Sequence, residues 1–394
     1  MTTTKKRAPS MSVDLYSDEN LMNPYPVYDE IRELGPVVYL EDLDMYVSAR
    51  YDAVRTILTR SDVFVSYEGV MMNDPMNEAL KGIVLCTDGD EHAAMRKVLA
   101  KPVMPKELRS VRPEVEAEAE TLADRLVAKG RFDAATELAQ HLPLTIVSKL
   151  VGLPEEGRQR MMIWAEANFQ CFGPMNARTE AAFPVLEEMV GYALNQCVRG
   201  KLVPGGWAER LHDAAEAGEI PMEKASLMAL DYLGPSLDTT IFGIGNAVWL
   251  FANNPDQWAK LREQPTLIPQ AINEVLRLES PIQGFSRYTK EEFEIEDVTI
   301  PKDARVIVLY GAGNRDGRKF PEPEKFDIMR ESVADHLAFG HGEHACVGMN
   351  LARLEMSAIL KSLCPRVEGF EVHETERNII NVLRGFSKID ISVH

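Results

Sequence analysis

One cysteine dominates what this chain can build. Cys346 sits in Phe339-Gly340-His341-Gly342-Glu343-His344-Ala345-Cys346-Val347-Gly348, and an amphipathic segment follows from Val347 to about Leu363. A loop feeding a helix N-terminus collects unpaired backbone N–H groups and the positive end of the helix dipole. Both favour thiolate over thiol, so the pKa of Cys346 is expected to fall. Gly340, Gly342 and Gly348 permit positive φ and the close approach of something bulky. A lone thiolate is a poor zinc or iron–sulfur site, because those need several thiolates. It suits a haem iron, which takes one strong protein ligand from one side. The competing reading is a buried structural cysteine, the commonest fate of a free Cys.

The rest of the composition sets bounds. The chain has 394 residues, 45% hydrophobic and 26% charged, enough for a sizeable core. The five cysteines, Cys86, Cys171, Cys197, Cys346 and Cys364, are odd in number and scattered, so they do not read as a disulfide framework. A reducing cytoplasm is the expected compartment. Residues 1 to 13 are polar and without periodicity, and read as a disordered tail before a single domain over 14–394. The tail lacks the apolar core of a signal peptide, and no apolar run is long enough to span a bilayer. A net charge of −18 argues against nucleic acid as a partner.

The periodicity is mostly helical. Helices are expected over Val27–Leu34, Tyr51–Leu58, Pro269–Leu278 and much of 90–199, with breaks at Pro102, Pro143, Pro154 and Gly173-Pro174. Residues 222–253 read as one long helix, apolar on most faces and therefore central. Two hairpins are expected, 37–40 with 45–48 around Asp42 and Asp44, and 293–300 with 304–310 around Pro301-Lys302-Asp303. Residues 66–85 and 311–329 read as long loops, and short strands are expected near Glu371 and over 389–393. The fold class is mainly α, one large helical domain with a small β subdomain.

Several pairs carry chemistry only in combination. Glu274 and Arg277 share a helix face at i,i+3 and can pair, either in solvent or buried among Ala271, Ile272, Val275 and Leu276. His92 and Arg96 share a face at i,i+4 and together suit a dianionic partner. Asp238-Thr239-Thr240 places an acid and hydroxyls inside an otherwise apolar helix, which is costly unless they are used. Arg96, Lys97, Lys101, Lys106 and Arg109 form a local basic cluster in an acidic chain, a solvated face or a docking face for an acidic electron donor.

The spacing Phe339…Gly342…Cys346-x-Gly348 resembles the haem-binding signature of the cytochrome P450 family, and the likeness extends from about Leu15 to His394. The resemblance implies haem b ligated by Cys346, with Phe339 and Gly340 beside it. His92, Arg96, Arg287 and His344 match the family's propionate contacts. Glu274, Arg277 and Arg330 match its structural triad beneath the cysteine loop. Asp238 and Thr239 match its proton relay, which is general acid catalysis along a buried path. The pair before that motif, usually Ala/Gly-Gly, is Pro235-Ser236 here, and a proline within a helix removes a hydrogen bond and kinks it. The implied activity is that of a monomeric monooxygenase fed from NAD(P)H by a reductase and a ferredoxin or flavodoxin.

The stretches 168–176 and 280–285 look similar to bacterial members that hydroxylate or O-demethylate small para-substituted aromatics such as methoxybenzoates. Those members hold the acid with an arginine before the His92 helix and with Arg-Ser on the long helix. Glu68 and Leu230-Asp231 stand there instead, and a benzoate would meet a negative field. The expectation is therefore a neutral methoxyphenol of the guaiacol type, O-demethylated to a phenol and formaldehyde. Glu68 or Tyr67 would bond the phenol. Val70, Met71, Phe169, Phe172, Leu233, Ser236, Ile282, Phe285 and Leu383 would line the pocket. The alternatives are a hydroxylase or O-demethylase of para-substituted benzoates, a peroxygenase of the same fold, and a non-enzymatic haem sensor.

Overall fold

The helix Asp238–Asn253 is apolar around nearly its whole circumference, and Ile241, Phe242, Ile244, Val248, Leu250 and Phe251 are all buried. A helix with no polar face must be enclosed on every side. It packs against the helices Ile268–Leu278 and Met349–Leu363 and the strand Phe386–Val393. Gly385 makes room there, since a Cβ on it would stand 2.1 Å from Cγ of Phe242. The long helices Pro105–Lys129, Glu155–Cys171 and Ala177–Gln196 complete a mainly α architecture. The computed structural model describes residues 6–394.

The single helix expected over 222–253 is corrected. The segment divides into Lys224–Met228, Leu230–Leu233 and Asp238–Asn253. Pro235 has no N–H for the carbonyl of Asp231, and its ring crowds that carbonyl, so the ladder stops there.

Among the described residues the β structure falls into three sheets. In the largest, Arg305–Leu309 pairs parallel with Met45–Ser48 and antiparallel with Gly284–Thr289. The hairpin 37–40/45–48 forms as expected, Val38 opposite Val47, with Asp44 in the turn at φ 53°. The second expected hairpin is corrected. Phe293–Ile295 pairs with Val298–Ile300, the turn residue Glu296 at φ 55°, while 305–309 belongs to the large sheet. Phe370–Arg377, Phe386–Val393 and Arg131–Asp133 form the third sheet.

Residues 1–5 of the expected disordered tail lie outside the described residues. From Lys6 that expectation is corrected, because Lys6–Arg7 pairs with Val298–Ile300 and Ser10–Met11 with Val38–Leu40. Edge pairing of two residues uses only backbone, so it leaves no mark on side-chain periodicity. Among the described residues, no helix is long and apolar enough to cross a membrane.

Candidate active site

The Cys346 loop is shaped by two glycines in the left-handed region, Gly340 at φ 67° and Gly342 at φ 74°. Gly342 also lies against the helix Tyr51–Thr59, where a Cβ would stand 2.4 Å from the Leu58 carbonyl oxygen. The turn closes when the Cys346 N–H donates to the Phe339 carbonyl at 2.8 Å. The helix Met349–Leu363 starts immediately afterwards.

The sulfur of Cys346 lines a cavity of about 250 Å³. The N–H groups of Gly348 and Met349 bond the sulfur, and the Arg96 and Arg353 guanidinium groups add positive charge. The expected fall in its pKa is nevertheless corrected. The residue is open to the cavity, yet protein atoms crowded round the sulfur remove enough solvent to push the thiol up from its ordinary value. A cationic metal ion at the sulfur would supply the charge that the protein's own donors do not.

Several distant segments meet at this end of the cavity. Arg96, Arg287 and His344 all line it, and Arg96 bonds the Ala345 carbonyl oxygen. His344 Nε2 lies 3.2 Å from Oδ1 of Asp88, whose other oxygen accepts the N–H groups of Ser66 and Tyr67 at 2.7 Å each. His92 stacks on His344 with ring centroids 4.2 Å apart. Its Nε2 is buried with no partner among the described residues, and burial pushes its pKa down to about 4. Tyr310 also lines the cavity and hydrogen-bonds Arg287. A single sulfur donor, two guanidinium groups and the His344 imidazole around one cavity fit a haem with its two carboxylates, while His92, expected beside them, stands behind His344 and outside the wall. Phe339 and Gly340 lie in the same wall.

Beneath the loop, Glu274 and Arg277 form a two-point pair at 2.7 and 2.9 Å with both side chains fully buried. Arg330 reaches the same carboxylate at 3.1 and 3.2 Å. Arg277 and Arg330 also hold the carbonyls of Asn314, Pro321, Glu322, Pro323 and Lys325. One buried anion thus gathers the 314–330 loop.

On the long-helix side, Ser236, Thr239 and Thr240 line the cavity. The Ser236 hydroxyl bonds the Tyr232 carbonyl, and that of Thr239 bonds the Pro235 carbonyl at 3.1 Å. Asp238 is buried outside the cavity wall. Its Oδ2 has no partner among the described residues, and burial together with Glu166 raises its pKa to about 8. Glu166 is exposed.

Phe169, Phe172, Ile282 and Phe285 line the cavity as expected, and the three phenylalanines stack in series at 5.6 and 5.5 Å. Other expectations are corrected. Glu68 and Tyr67 are exposed and outside the wall, because Asp88 holds the Tyr67 N–H and Arg305 holds the carbonyls of Glu68 and Gly69. Val70 and Met71 are fully buried beside Gly284–Thr289, their carbonyls bonded by Ser286. Leu233 is fully buried in the core and outside the wall. Leu383 is buried, outside the wall, and bridged to Ile282.

Asp231 does line the cavity. Its Oδ2 accepts the Val84 N–H at 3.1 Å, and burial pushes its pKa up to about 7. Sequence reasoning overlooked Asp88, Trp207 and Tyr310, which lack helical spacing to their partners, and named Asn168 only as the first residue of the stretch 168–176, with no role of its own.

A mainly α chain with one cysteine presented to a cavity flanked by arginines has the arrangement that a haem-thiolate protein needs. The comparisons agree. A family model described as Cytochrome P450 matches residues 208–389. The chain is 35% identical over 390 residues to cytochrome P450 CYP199A2 of Rhodopseudomonas palustris, covering 98% of this chain and 94% of the relative. It is 31% identical to the cytochrome P450 monooxygenase PikC of Streptomyces venezuelae, covering 92% of this chain and 88% of that one. The crystal structure of P450BioI with a hexadec-9Z-enoic acid-ligated acyl carrier protein superimposes with a TM-score of 0.86 at 26% identity, over 96% of this chain and 99% of that one. The chain belongs to the cytochrome P450 family. It is a monooxygenase, and the family implies a haem iron cofactor.

Proposed function

We propose that this monooxygenase acts on a small neutral aromatic and removes an O-methyl group from a methoxyphenol of the guaiacol type. One observation carries the reading. The cavity is walled by Phe169, Phe172, Phe285 and aliphatic residues, its acid is Asp231, and its cations Arg96 and Arg287 both act on His344 at the Cys346 end. A carboxylate held away from that end would have no cation and would face Asp231. The resemblance of 168–176 and 280–285 to members that oxidise small para-substituted aromatics supports the same substrate size.

Cys346 would ligate the iron, with Arg96, Arg287 and His344, backed by His92, toward the propionates and Phe339 and Gly340 packed beside the ring. When bound, haem activates dioxygen and delivers one oxygen atom to a substrate C–H bond. The methoxy carbon becomes a hemiacetal, which releases formaldehyde and the phenol; the second oxygen leaves as water with two protons and two electrons. Thr239, its hydroxyl hydrogen engaged by Pro235, offers lone pairs to the cavity. Asp238, protonated near neutral pH, stands between Thr239 and the exposed Glu166 as a proton carrier. Glu274, Arg277 and Arg330 hold the loop on which Cys346 depends. Electrons would come from NAD(P)H through a reductase and an acidic ferredoxin or flavodoxin in the cytoplasm.

Titration of the haem spin state tests the substrate. Guaiacol is expected to bind at least about 10-fold more tightly than 4-methoxybenzoate, the penalty of one unpaired charge. Tight binding of the benzoate with none of guaiacol overturns the reading.

A further inference from the structure

We propose that Asn168 is the polar anchor that selects the substrate's hydroxyl group, an inference that rests on the neutral-phenol reading. Asn168 lies on the helix Glu155–Cys171, is 4% exposed, and lines the cavity. Its side-chain amide makes no hydrogen bond with any described residue. Its polar atoms are not among those sealed away without a partner, so the amide is open to the cavity interior and free to meet a ligand. Four of the other polar groups in the wall are already engaged within the protein; the Thr240 hydroxyl and the Trp207 N–H are also open, but neither presents a planar acceptor beside two donors. The Tyr232 hydroxyl donates to the Leu99 carbonyl at 2.9 Å, Ser236 bonds Tyr232, Thr239 bonds Pro235, and Asp231 accepts from Val84.

The amide is seated by an absence. Gly234 has an ordinary helical φ of −72°, so conformational freedom is not why glycine stands there. Room is the reason. A Cβ on Gly234 would stand 2.8 Å from Asn168 Nδ2 and 3.1 Å from its Cγ. An alanine there would push the amide out of its seat. The chemistry of the amide fixes the class of ligand. It offers one acceptor and two donors in a plane, which a phenol hydroxyl answers by donating to Oδ1 and accepting from Nδ2. A carboxylate can use only the donors and leaves Oδ1 unmatched.

Spin-state titration of the haem-loaded protein tests this with 2-methoxyphenol, with methoxybenzene (the same ether without the hydroxyl) and with 4-methoxybenzoate. The wild type is expected to favour 2-methoxyphenol over methoxybenzene by about 10-fold, the worth of one good hydrogen bond. Asn168→Leu and, independently, Gly234→Ala are expected to reduce that ratio to within about 2-fold while methoxybenzene binding changes little. A ratio unchanged in both variants overturns the anchor and leaves the neutral-substrate reading intact. If the benzoate binds wild type most tightly, that reading fails instead.

Discussion

Asp238 and Glu355 are carboxyl groups that burial keeps protonated to about pH 8, and they serve different ends. Asp238 precedes the cavity-lining Thr239 and feels the charge of the surface acid Glu166, the setting that the proposed proton path needs. Asp238→Asn keeps the shape and removes the titration. Substrate-coupled turnover should fall about 100-fold while ligand binding stays within about 2-fold, the signature of a lost general acid. Unchanged turnover would remove Asp238 from the proton path. Glu355 is fully buried on the helix Met349–Leu363 with neither oxygen bonded among the described residues. Its folded pKa is raised to about 8 from 4.5, so the native state keeps a proton that the unfolded chain has released between those values. Its contribution to stability is therefore full below about pH 4.5 and is lost as pH rises through 8. Glu355→Gln removes that loss. The melting temperature of the variant relative to wild type should climb steadily from pH 5 to pH 8, and a flat difference would mean that the carboxyl is not held neutral.

Among the elements, the loop 314–330 depends most on a few side chains, since it has little secondary structure of its own and hangs on Glu274, Arg277 and Arg330. Arg330→Ala leaves part of a fully buried carboxylate and several loop carbonyls unanswered. It should cost about 3 kcal/mol in a denaturation experiment and lower haem retention, and Arg330→Lys should not restore either, because a single ammonium cannot fork. Wild-type stability in the alanine variant would mean that the loop stands without the triad. This network was legible in the sequence because Glu274 and Arg277 are one helical turn apart and Arg330 follows a recognisable Phe326-Asp327 segment. The apolar central helix was legible for the same reason, periodicity. Its interruption was only half visible: Pro235 announces a kink, but the four-residue gap also depends on the Ser236 and Thr239 hydroxyls taking backbone carbonyls. The substrate loop was misread because Arg305, 237 positions away, donates to the Glu68 carbonyl, and Asp88, 21 positions from Tyr67, accepts the Tyr67 N–H, distances no local pattern spans. Polar residues such as Asn168 and Asp231 face the cavity through packing, and packing leaves no period in the sequence.

The molecule as a whole carries a charge of −18, yet Lys97, Lys101, Lys106 and Arg109 are exposed in one run of chain and none is ion-paired among the described residues. Arg96, grouped with them in the sequence, turns inward to the cavity instead. The run begins on the helix Gly89–Ala100, which carries His92 and Arg96, and it surrounds the exposed Met104. A cationic patch around an apolar centre on an otherwise acidic protein steers an acidic carrier to one face and repels it from the rest. Lys101→Glu combined with Lys106→Glu reverses the local field without touching the cavity. Reduction of the haem-loaded protein by an acidic ferredoxin, followed by stopped-flow absorbance at low ionic strength, should slow about 10-fold. The gap should close as salt rises and the Debye length shrinks to about 8 Å near physiological strength. Guaiacol binding should be unaffected in the same preparation. Equal reduction rates at low salt would move the docking face elsewhere on the molecule.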